Sequence, residues 1–438
     1  MIVRVSNPAV RGIVLAGVAV CVGLLAFSAL RHGKAERWAA SNDPGLWLRA
    51  AETEPSNPEN WYRLGRYRQF DFENADLPLA ISYYQRSVSL DPNSARYWMD
   101  LSSAYEMAGN LGQAEEALRT AQRDYPNSGE VAWRFGNFLL RQNRVNESFE
   151  QIHHAVTEDP KLTALAVSRC WRSTQDIGRI LSTIIPANTE AYWGALEFLI
   201  GAREPEAAME VWKRLVSARP AFELSQSFPL FEMLIDLGHV DEASTVWQQA
   251  LSLAGIKPAP GVAGSLIANG GFEGDLLNGG FAWRNRPQLG ADTNWDEETV
   301  HSGSRSLRID FDGSANVDFQ EFWQYVPVQP NTHYQFRGYL RTNELTTEKG
   351  IHFEIDDVTH SSNPSAFKPT PRQVTPDVVG TQPWMLNQVE FTTAPDTHLL
   401  RIFLRRTTSS LLASKVRGTA WVDDVSLVAL PSSSLDSR

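Results

Sequence analysis

Prolines fall at a fixed interval in the first half of this chain: Pro92, Pro126 and Pro160 are 34 residues apart each time. The same short pattern precedes each. Ala80, Tyr84, Ser87 and Pro92 return as Ala114, Leu118, Ala121 and Pro126, then as Ser148, Ile152, Ala155 and Pro160. Such steps put small and apolar side chains on one face of a helix that the proline ends. A second set lies upstream in each unit: Trp61, Leu64 and Gly65, then Trp98, Leu101, Ser102 and Tyr105, then Phe135, Gly136 and Leu139. Each unit therefore reads as a pair of helices that cannot bury its own apolar face and must stack on its neighbours.

Three copies in phase resemble the tetratricopeptide repeat (TPR) family. The small residues let paired helices approach, and the large ones fill the gap between units. The first unit carries three extra residues around Asp71 to Asp76, and Trp47, Ala50 and Pro55 form a half-unit before it. Beyond Pro160 the pattern blurs, then returns as Ala208, Trp212, Leu215 and Pro220 and as Ala243, Trp247 and Ala250. The expectation is an α-solenoid over residues 43–253. The resemblance implies a concave groove lined by the first helix of each unit, taking a protein partner. Register places Tyr62, Arg66, Met99, Ser103, Trp133, Asn137 and Arg141 on that face. Each can equally be a solvated or interhelix packing residue; Trp133 is the strongest candidate, because an exposed aromatic makes a good anchor. His153 and His154 are adjacent and point to different sides of a helix, so they do not share a metal.

The N-terminus adds a membrane element. Gly12 to Leu30 is 19 residues without a charge, bracketed by Arg11 and Arg31. As a helix it extends about 28 Å, close to a bilayer core. Its length, and the lack of a good small-residue cleavage site, favour an uncleaved signal anchor over a cleaved signal peptide. The reading is a tail over residues 1–11, a transmembrane anchor over 12–30 and a juxtamembrane linker over 31–42. Arg4 and Arg11 precede the span, but Arg31, Lys34 and Arg37 follow it. The positive-inside count therefore does not choose an orientation.

After Gly255 comes KPAPGVAG, read as a Pro/Gly linker over residues 254–262. From Leu266 the period becomes alternating. Segments 306–313, 322–328, 333–342, 350–357, 387–393, 399–406 and 420–428 read as strands separated by turns, which points to an antiparallel sandwich. The order of NGGFE (269–273), Trp283, HSGSRSLRI (301–309), VQPNTHYQFRGYLRT (328–342), GTQPW (380–384) and WVDDVSL (421–427) resembles the galactose-binding-like jelly rolls of many carbohydrate-binding modules. The resemblance covers residues 263–430, leaving a flexible tail over 431–438, and makes NGGFE the opening of the first strand. It also implies a structural calcium ion on Glu273 and Asp424, completed by carbonyls of the His301–Gly303 turn. The alternative is a solvated Glu and an Asp satisfied by a turn. Asp423 is expected to face away from Asp424.

Sugar binding needs aromatic platforms, and Trp283, Trp295, Trp323, Tyr325 and Trp384 are the candidates. Core packing is the ordinary fate of a Trp in a sandwich. Residues 359–381, rich in Pro, Ser and Thr, read as a long loop with a candidate site beside Phe367, Lys368 and Arg372. Glu354, Asp356 and Asp357 form an acidic cluster, more often a solvated edge than a glycosidase pair.

Net charge is −11, from 51 acidic and 40 basic residues. Residues 264–438 hold 21 acids against 15 bases, or −6, so the excess is spread out. No basic stripe suits nucleic acid. Cys21 and Cys170 provide no disulfide framework. GxxxxGK[ST], HExxH, GxSxG and CxxC are absent from the sequence, so no enzyme is expected. The fold class expected is multidomain α + β: transmembrane helix, TPR α-solenoid, then antiparallel jelly roll. The function expected is a single-pass, bacterial cell-envelope scaffold with its bulk in the periplasm, docking a protein through the solenoid and exopolysaccharide through the β domain. A purely protein–protein scaffold is the alternative, and a glycan-processing enzyme a distant third.

Overall fold

The computed structural model describes residues 8–257, 259, 261–359 and 369–431 of the chain. It divides into two compact units, Met1–Gly194 and Ala195–Arg438.

The first unit is helical: α1 (Pro8–Ala39), α2 (Pro44–Thr53), α3 (Pro58–Phe70), α4 (Leu77–Leu90), α5 (Ala95–Met107), α6 (Leu111–Asp124), α7 (Gly129–Arg141), α8 (Val145–Glu158), α9 (Thr163–Thr174), α10 (Ile177–Thr183) and the start of α11 (Thr189–Ala202). Helices α3 with α4, α5 with α6 and α7 with α8 pack as pairs. Ala80, Ala114 and Ser148, the small residues of the 34-residue pattern, are wholly buried. A larger side chain at any of them overpacks the pair, at a cost of about 1–3 kcal/mol. The helix starts are fixed locally: Asp43, Asn57, Asp76 and Ser128 each accept a backbone N–H of the first turn. A second device repeats. Trp47, Trp61 and Trp98 each donate the indole N–H to the carbonyl six residues earlier, on Ser41, Pro55 and Pro92, at 2.7, 3.0 and 2.7 Å.

Helix α1 is long and apolar enough to cross a membrane, and the apolar stretch is unburied. The sequence reads residues 31–42 as a linker, but α1 runs on to Ala39 and packs on α2. Ala35 is buried there, His32 Nδ1 lies 2.6 Å from Glu54, and Arg63 donates to the Ala39 carbonyl. A cation at the end of a helix is favourably placed. The inserted residues 71–76 form an ordered loop: the Asp71 carboxylate accepts from Glu73 N and Asn74 N at 3.1 and 2.8 Å. After Pro160 the repeat blurs because α10 is only 7 residues long and α9 ends in a left-handed residue, Gln175.

The second unit contains α12 (Pro205–Ala218), α13 (Phe228–Asp236) and α14 (Val240–Leu253), followed by strands β1 (Arg284–Asn285), β2 (Ala291–Asp296), β3 (Ser306–Asp312), β4 (Phe322–Pro327), β5 (His333–Leu345), β6 (His352–Asp357), β7 (Gln373–Val374), β8 (Gly380–Thr392), β9 (Leu399–Arg405) and β10 (Arg417–Ala429). They form two antiparallel five-stranded sheets, ordered β1-β4-β9-β6-β7 and β2-β3-β10-β5-β8. Inward residues of both, such as Leu307, Phe322, Phe336, Phe353, Ile402 and Val422, share one core. Three strands escape the sequence reading: β1 and β7 are two residues long, and β2 (ADTNWD) is polar. Strand β8 begins at Gly380 and takes in Pro383, which an edge strand tolerates.

NGGFEG opens no strand. Asn269 and Phe272 both have positive φ, so the segment is a turn that runs beside β10. Leu266 N donates to Leu427 O and Val425 N donates to Gly270 O, at 2.8 and 2.9 Å. A Cβ at residue 270 would lie 1.9 Å from the Val425 carbonyl, so only glycine fits. The turn buries Phe272 against Trp283, Trp295 and Phe322, with ring centroids 5.6, 5.9 and 6.0 Å away.

Within this unit the sandwich is seated on α13 and α14. Phe281 meets Phe231 edge to face at 4.8 Å, and Arg284 pairs with Glu232 at 2.5 Å. Gly280 lies so close to Trp247 that a Cβ would stand 2.1 Å from the indole.

Candidate functional site

Two cavities open on the first helices of successive pairs. One, of about 670 Å³, is lined by residues 39–42 at the end of α1, by Trp47, and by Glu59, Tyr62, Arg63, Arg66, Tyr67 and Phe70 of α3, with Arg96 of α5. The other, of about 280 Å³, is lined by Met99, Ser103 and Glu106 of α5, Trp133, Arg134, Asn137 and Arg141 of α7, and Leu165 and Arg169 of α9. All seven groove residues picked out from register therefore line one cavity or the other. Tyr62 and Met99 do so as buried walls, Trp133 and Asn137 are half-buried, and Arg66 and Arg141 are exposed.

Charge is laid out across the groove in a regular way. Glu59, Arg96 and Glu130 hold one position in successive first helices, and Arg63, Asp100 and Arg134 another. Neighbours at each position attract: Arg96 pairs with Glu59, and Arg134 reaches Asp100 at 3.5 Å. Asp100 is buried and also accepts the Tyr62 hydroxyl at 2.6 Å, with Arg66 3.7 Å away. Burial, and then that bond to Asp100, push the Tyr62 phenol far above its ordinary value, so it stays a donor. Arg141 grips Glu106 through two bonds of 2.7 and 2.8 Å. Sequence reasoning missed Asp100, Arg96 and Arg134. The signal was present: oppositely charged residues at one register position of consecutive repeats.

In the second unit three acids converge on the turn at residues 301–305. Glu273 accepts from Ser304 N at 2.7 Å, from Arg305 N at 3.2 Å and from the Ser304 hydroxyl. These donors, the hydroxyl first, hold its carboxyl below the usual range. Asp424 lies 2.6 Å from His301 Nδ1 and accepts the Ser302 hydroxyl at 2.8 Å. Asp423 accepts His301 N and Ser302 N at 2.8 and 3.1 Å. It does not face away from Asp424, because Asp424 has a φ of 49° within an irregularity of β10 that breaks the alternation. Burial pushes the Asp423 carboxyl up to about 6 against three N–H donors.

Glu273 and Asp424 thus share one turn, as a common cation requires, though every carboxylate oxygen already accepts a hydrogen bond. Among the described residues no group of three or more His, Cys, Asp or Glu side chains is placed to hold a metal. A calcium ion here would depend on backbone and hydroxyl oxygens, the ligand class it prefers.

The aromatic candidates separate. Trp283 is in the core, its N–H donated to Asn269 O at 3.1 Å. Trp295 is half-buried against the same core. Trp323 is buried and Tyr325 half-buried; their rings meet at 4.6 Å under the Arg284 guanidinium, 4.5 and 5.2 Å from the two centroids. Trp384, on β8, is half-buried beside His301, and its indole N–H has no acceptor among the described residues. Phe367 and Lys368 lie outside the described residues. Arg372 binds Glu354 at 2.9 Å and Asp356 through two bonds of 2.5 and 2.9 Å.

A tetratricopeptide-repeat family model matches residues 71–135, which hold α4 to α6 and the first turns of α7. The chain is 30% identical over 110 residues to anaphase-promoting complex subunit CDC16 of Saccharomyces cerevisiae. It is 28% identical over 85 residues to small glutamine-rich tetratricopeptide repeat-containing protein 2 of Mycosarcoma maydis. The matched stretches are 24% and 19% of this chain but only 13% and 24% of those relatives' own lengths. Solved structures that overlap it include Pseudomonas aeruginosa pilF (15% identity, TM-score 0.28, 52% of this chain and 89% of that one). Another is PilW, a type IV pilus biogenesis factor (18% identity, TM-score 0.26, 44% and 92%). A third is YrrB, described as a TPR protein with an unusual peptide-binding site (14% identity, TM-score 0.22, 47% and 91%).

Proposed function

We propose that this chain is a non-enzymatic, membrane-anchored scaffold of the cell envelope with its bulk outside the cytoplasm. Its helical array docks a protein partner. Its β-sandwich, a galactose-binding-like jelly roll, contacts carbohydrate in the assembly or export of surface polysaccharide, and a structural calcium on Glu273 and Asp424 steadies it. The observation that carries the reading is the alignment of the seven register-matched residues along two cavities on α3, α5 and α7. Trp133 and Tyr62 supply aromatic walls, and Arg66, Arg96, Arg141 and Arg169 supply charge at the rim. That is the composition of a protein-docking surface. The apolar length of α1 supports the anchor.

A second reading, a purely protein–protein scaffold, draws on the burial of Trp283 and Trp323, which leaves neither free as a sugar platform.

A photo-crosslinking residue at position 133 or 141, compared with one at Glu116 on α6, tests the docking. A partner captured from the two groove positions only, and lost from the probe at position 141 on Trp133→Ala, supports it. Equal capture from Glu116, or none from the groove of a folded protein, sinks it.

A further inference from the structure

The two outer faces of the sandwich differ in how their charges are settled. On the sheet containing β4, β9 and β6 every guanidinium is answered. Arg401 meets Asp356 at 3.0 Å, Arg405 meets Asp318 at 2.5 Å, Arg372 holds Glu354 and Asp356, and Arg284 holds Glu232 while covering Trp323 and Tyr325. The charges of that face are paired within the protein.

The other outer face is built differently. Along β5, Gln335, Arg337, Tyr339, Arg341 and Asn343 point outward, alternating with buried Tyr334, Phe336, Gly338, Leu340 and Thr342. Tyr339 is stacked by the His301 ring at 3.7 Å and 18°, and Trp384 stands against His301 at 5.7 Å. Next door, Trp421 of β10 lies in register between Arg308 of β3 and Arg341 of β5. Both guanidiniums stand over its ring, at 5.8 and 5.6 Å. Arg308 is neutralised by Asp310 at 2.8 Å and Asp296 at 3.5 Å. Arg341 and Arg337 are exposed, and among the described residues neither has an acidic partner.

We propose that this face, centred on Tyr339, His301 and Trp384 and flanked by Arg337 and Arg341, binds an acidic polysaccharide whose carboxylates are separated by neutral sugars. The inference rests on the carbohydrate-contact reading and adds the ligand's charge and its place on the molecule. Guanidinium forks match carboxylates through paired N–H donors, and a cation seated on an indole is already oriented for one. Residues two apart on a strand stand about 6.7 Å apart, so the two forks lie about 13 Å apart. Between them, among the described residues, are rings and amides but no Lys or Arg side chain. That spacing suits a sparsely charged glycan and not the dense phosphates of a nucleic acid, which also find no basic stripe here. The acids nearest the face, Asp423 and Asp424 beside His301, already accept hydrogen bonds from the 301–305 turn, and more distant acids are screened over about 8 Å at physiological salt.

The full chain in detergent is assayed for retardation by hyaluronan, in which uronate alternates with a neutral sugar, by carboxyl-reduced hyaluronan and by dextran. The expected result is retardation by hyaluronan, at least tenfold weaker after carboxyl reduction. Arg337→Gln with Arg341→Gln gives a similar loss at an unchanged melting temperature. Equal binding of the intact and reduced polymers overturns the charge assignment and leaves sugar binding standing, and so does binding to dextran alone. If hyaluronan binds normally to the double variant, the site lies elsewhere and the placement is overturned. Failure of the folded protein to bind any of the three polymers overturns this inference and counts against the carbohydrate reading beneath it. The reduced polymer tests the charge requirement on the unmodified protein, even if the double variant does not fold.

Discussion

Arg134 occupies in α7 the position that Asp100 occupies in α5, and the two side chains meet 3.5 Å apart. Asp100 is buried and also serves Tyr62 and Arg66, whereas Arg134 is close to half exposed. The pair is therefore asymmetric. Asp100→Ala strands a buried phenol without an acceptor and is expected to cost about 2–4 kcal/mol. Arg134→Ala removes only a rim charge and is expected to cost under about 1 kcal/mol. Thermal unfolding followed by far-UV circular dichroism separates them. Equal losses would mean that the Arg134–Asp100 pair, and not the Tyr62 hydrogen bond, dominates.

Gly280 sits at φ 56° with the Trp247 indole where its Cβ would be, and Arg284 behind it pairs with Glu232 on α13. Gly280→Ala adds steric overlap to backbone strain, each of the order of 1–3 kcal/mol. The expected outcome is a loosened seat of the sandwich on α13 and α14, seen as faster limited proteolysis between residues 254 and 262. Arg284→Met is expected to act in the same direction more weakly, since it keeps part of the cover over Trp323. Unchanged proteolysis in both variants would show that Phe231 and Phe281 alone hold the seat.

The repeat was the most legible part of the molecule, because helix pairs report themselves through burial at fixed steps: Ala80, Ala114 and Ser148 are small in sequence and sealed in the structure. The groove was legible for the same reason, since register alone puts Met99 and Trp133 on one face. Tertiary effects were not legible. Helix α1 continues past its apolar run because α2 offers it a packing surface, and no local signal marks that. The alternation rule failed at Asp423 and Asp424, where one left-handed residue turns both carboxylates to the same turn. Nothing in an isolated WQY reveals that Arg284 and Glu232 lie over Trp323 and Tyr325.

His352 links two acids on the sandwich: Nδ1 lies 2.6 Å from Asp377 and Nε2 lies 3.2 Å from Glu354. Burial opposes its charge, but the two carboxylates outweigh burial and its pKa is raised above 6.5. Arg372 and Arg405 face the same Glu354. A raised base stabilises the fold fully below its unfolded pKa, and the gain is lost as pH rises through the folded value. Asp377, depressed first by its bond to His352, works oppositely: its contribution is present above 3.8 and lost as pH falls through the lower folded value. Buried Asp423, raised to about 6, again favours the fold at low pH. Melting temperature is therefore expected to fall between pH 3.8 and about 6 through Asp423, and again above 6.5 through His352. His352→Gln should flatten the part above pH 6.5 while leaving the part near 6. A profile unchanged by that variant would remove His352 from the account.

Glu273 and Asp424 grip the turn at residues 301–305 from two distant parts of the chain, and two descriptions of that grip give different outcomes. If the turn's own donors suffice, calcium and chelator leave the melting temperature of the full chain unchanged, while Glu273→Gln lowers it, because its one amide oxygen can serve the Ser304 and Arg305 N–H groups or the Ser304 hydroxyl but not both. If calcium is held there, as proposed, the Ser302 and Ser304 hydroxyls that now donate to the carboxylates must turn to present oxygen to the ion. Calcium then raises the midpoint by about 2 °C or more, by mass action on the folded state. Glu273→Gln and Asp424→Asn each abolish that rise. The effect should reach the proposed glycan face as well, since His301, held by Asp424, is the ring that stacks on Tyr339. Chelator is thus expected to weaken polysaccharide retardation in parallel with the melting temperature, and retardation indifferent to both chelator and Asp424→Asn would separate the turn from the face.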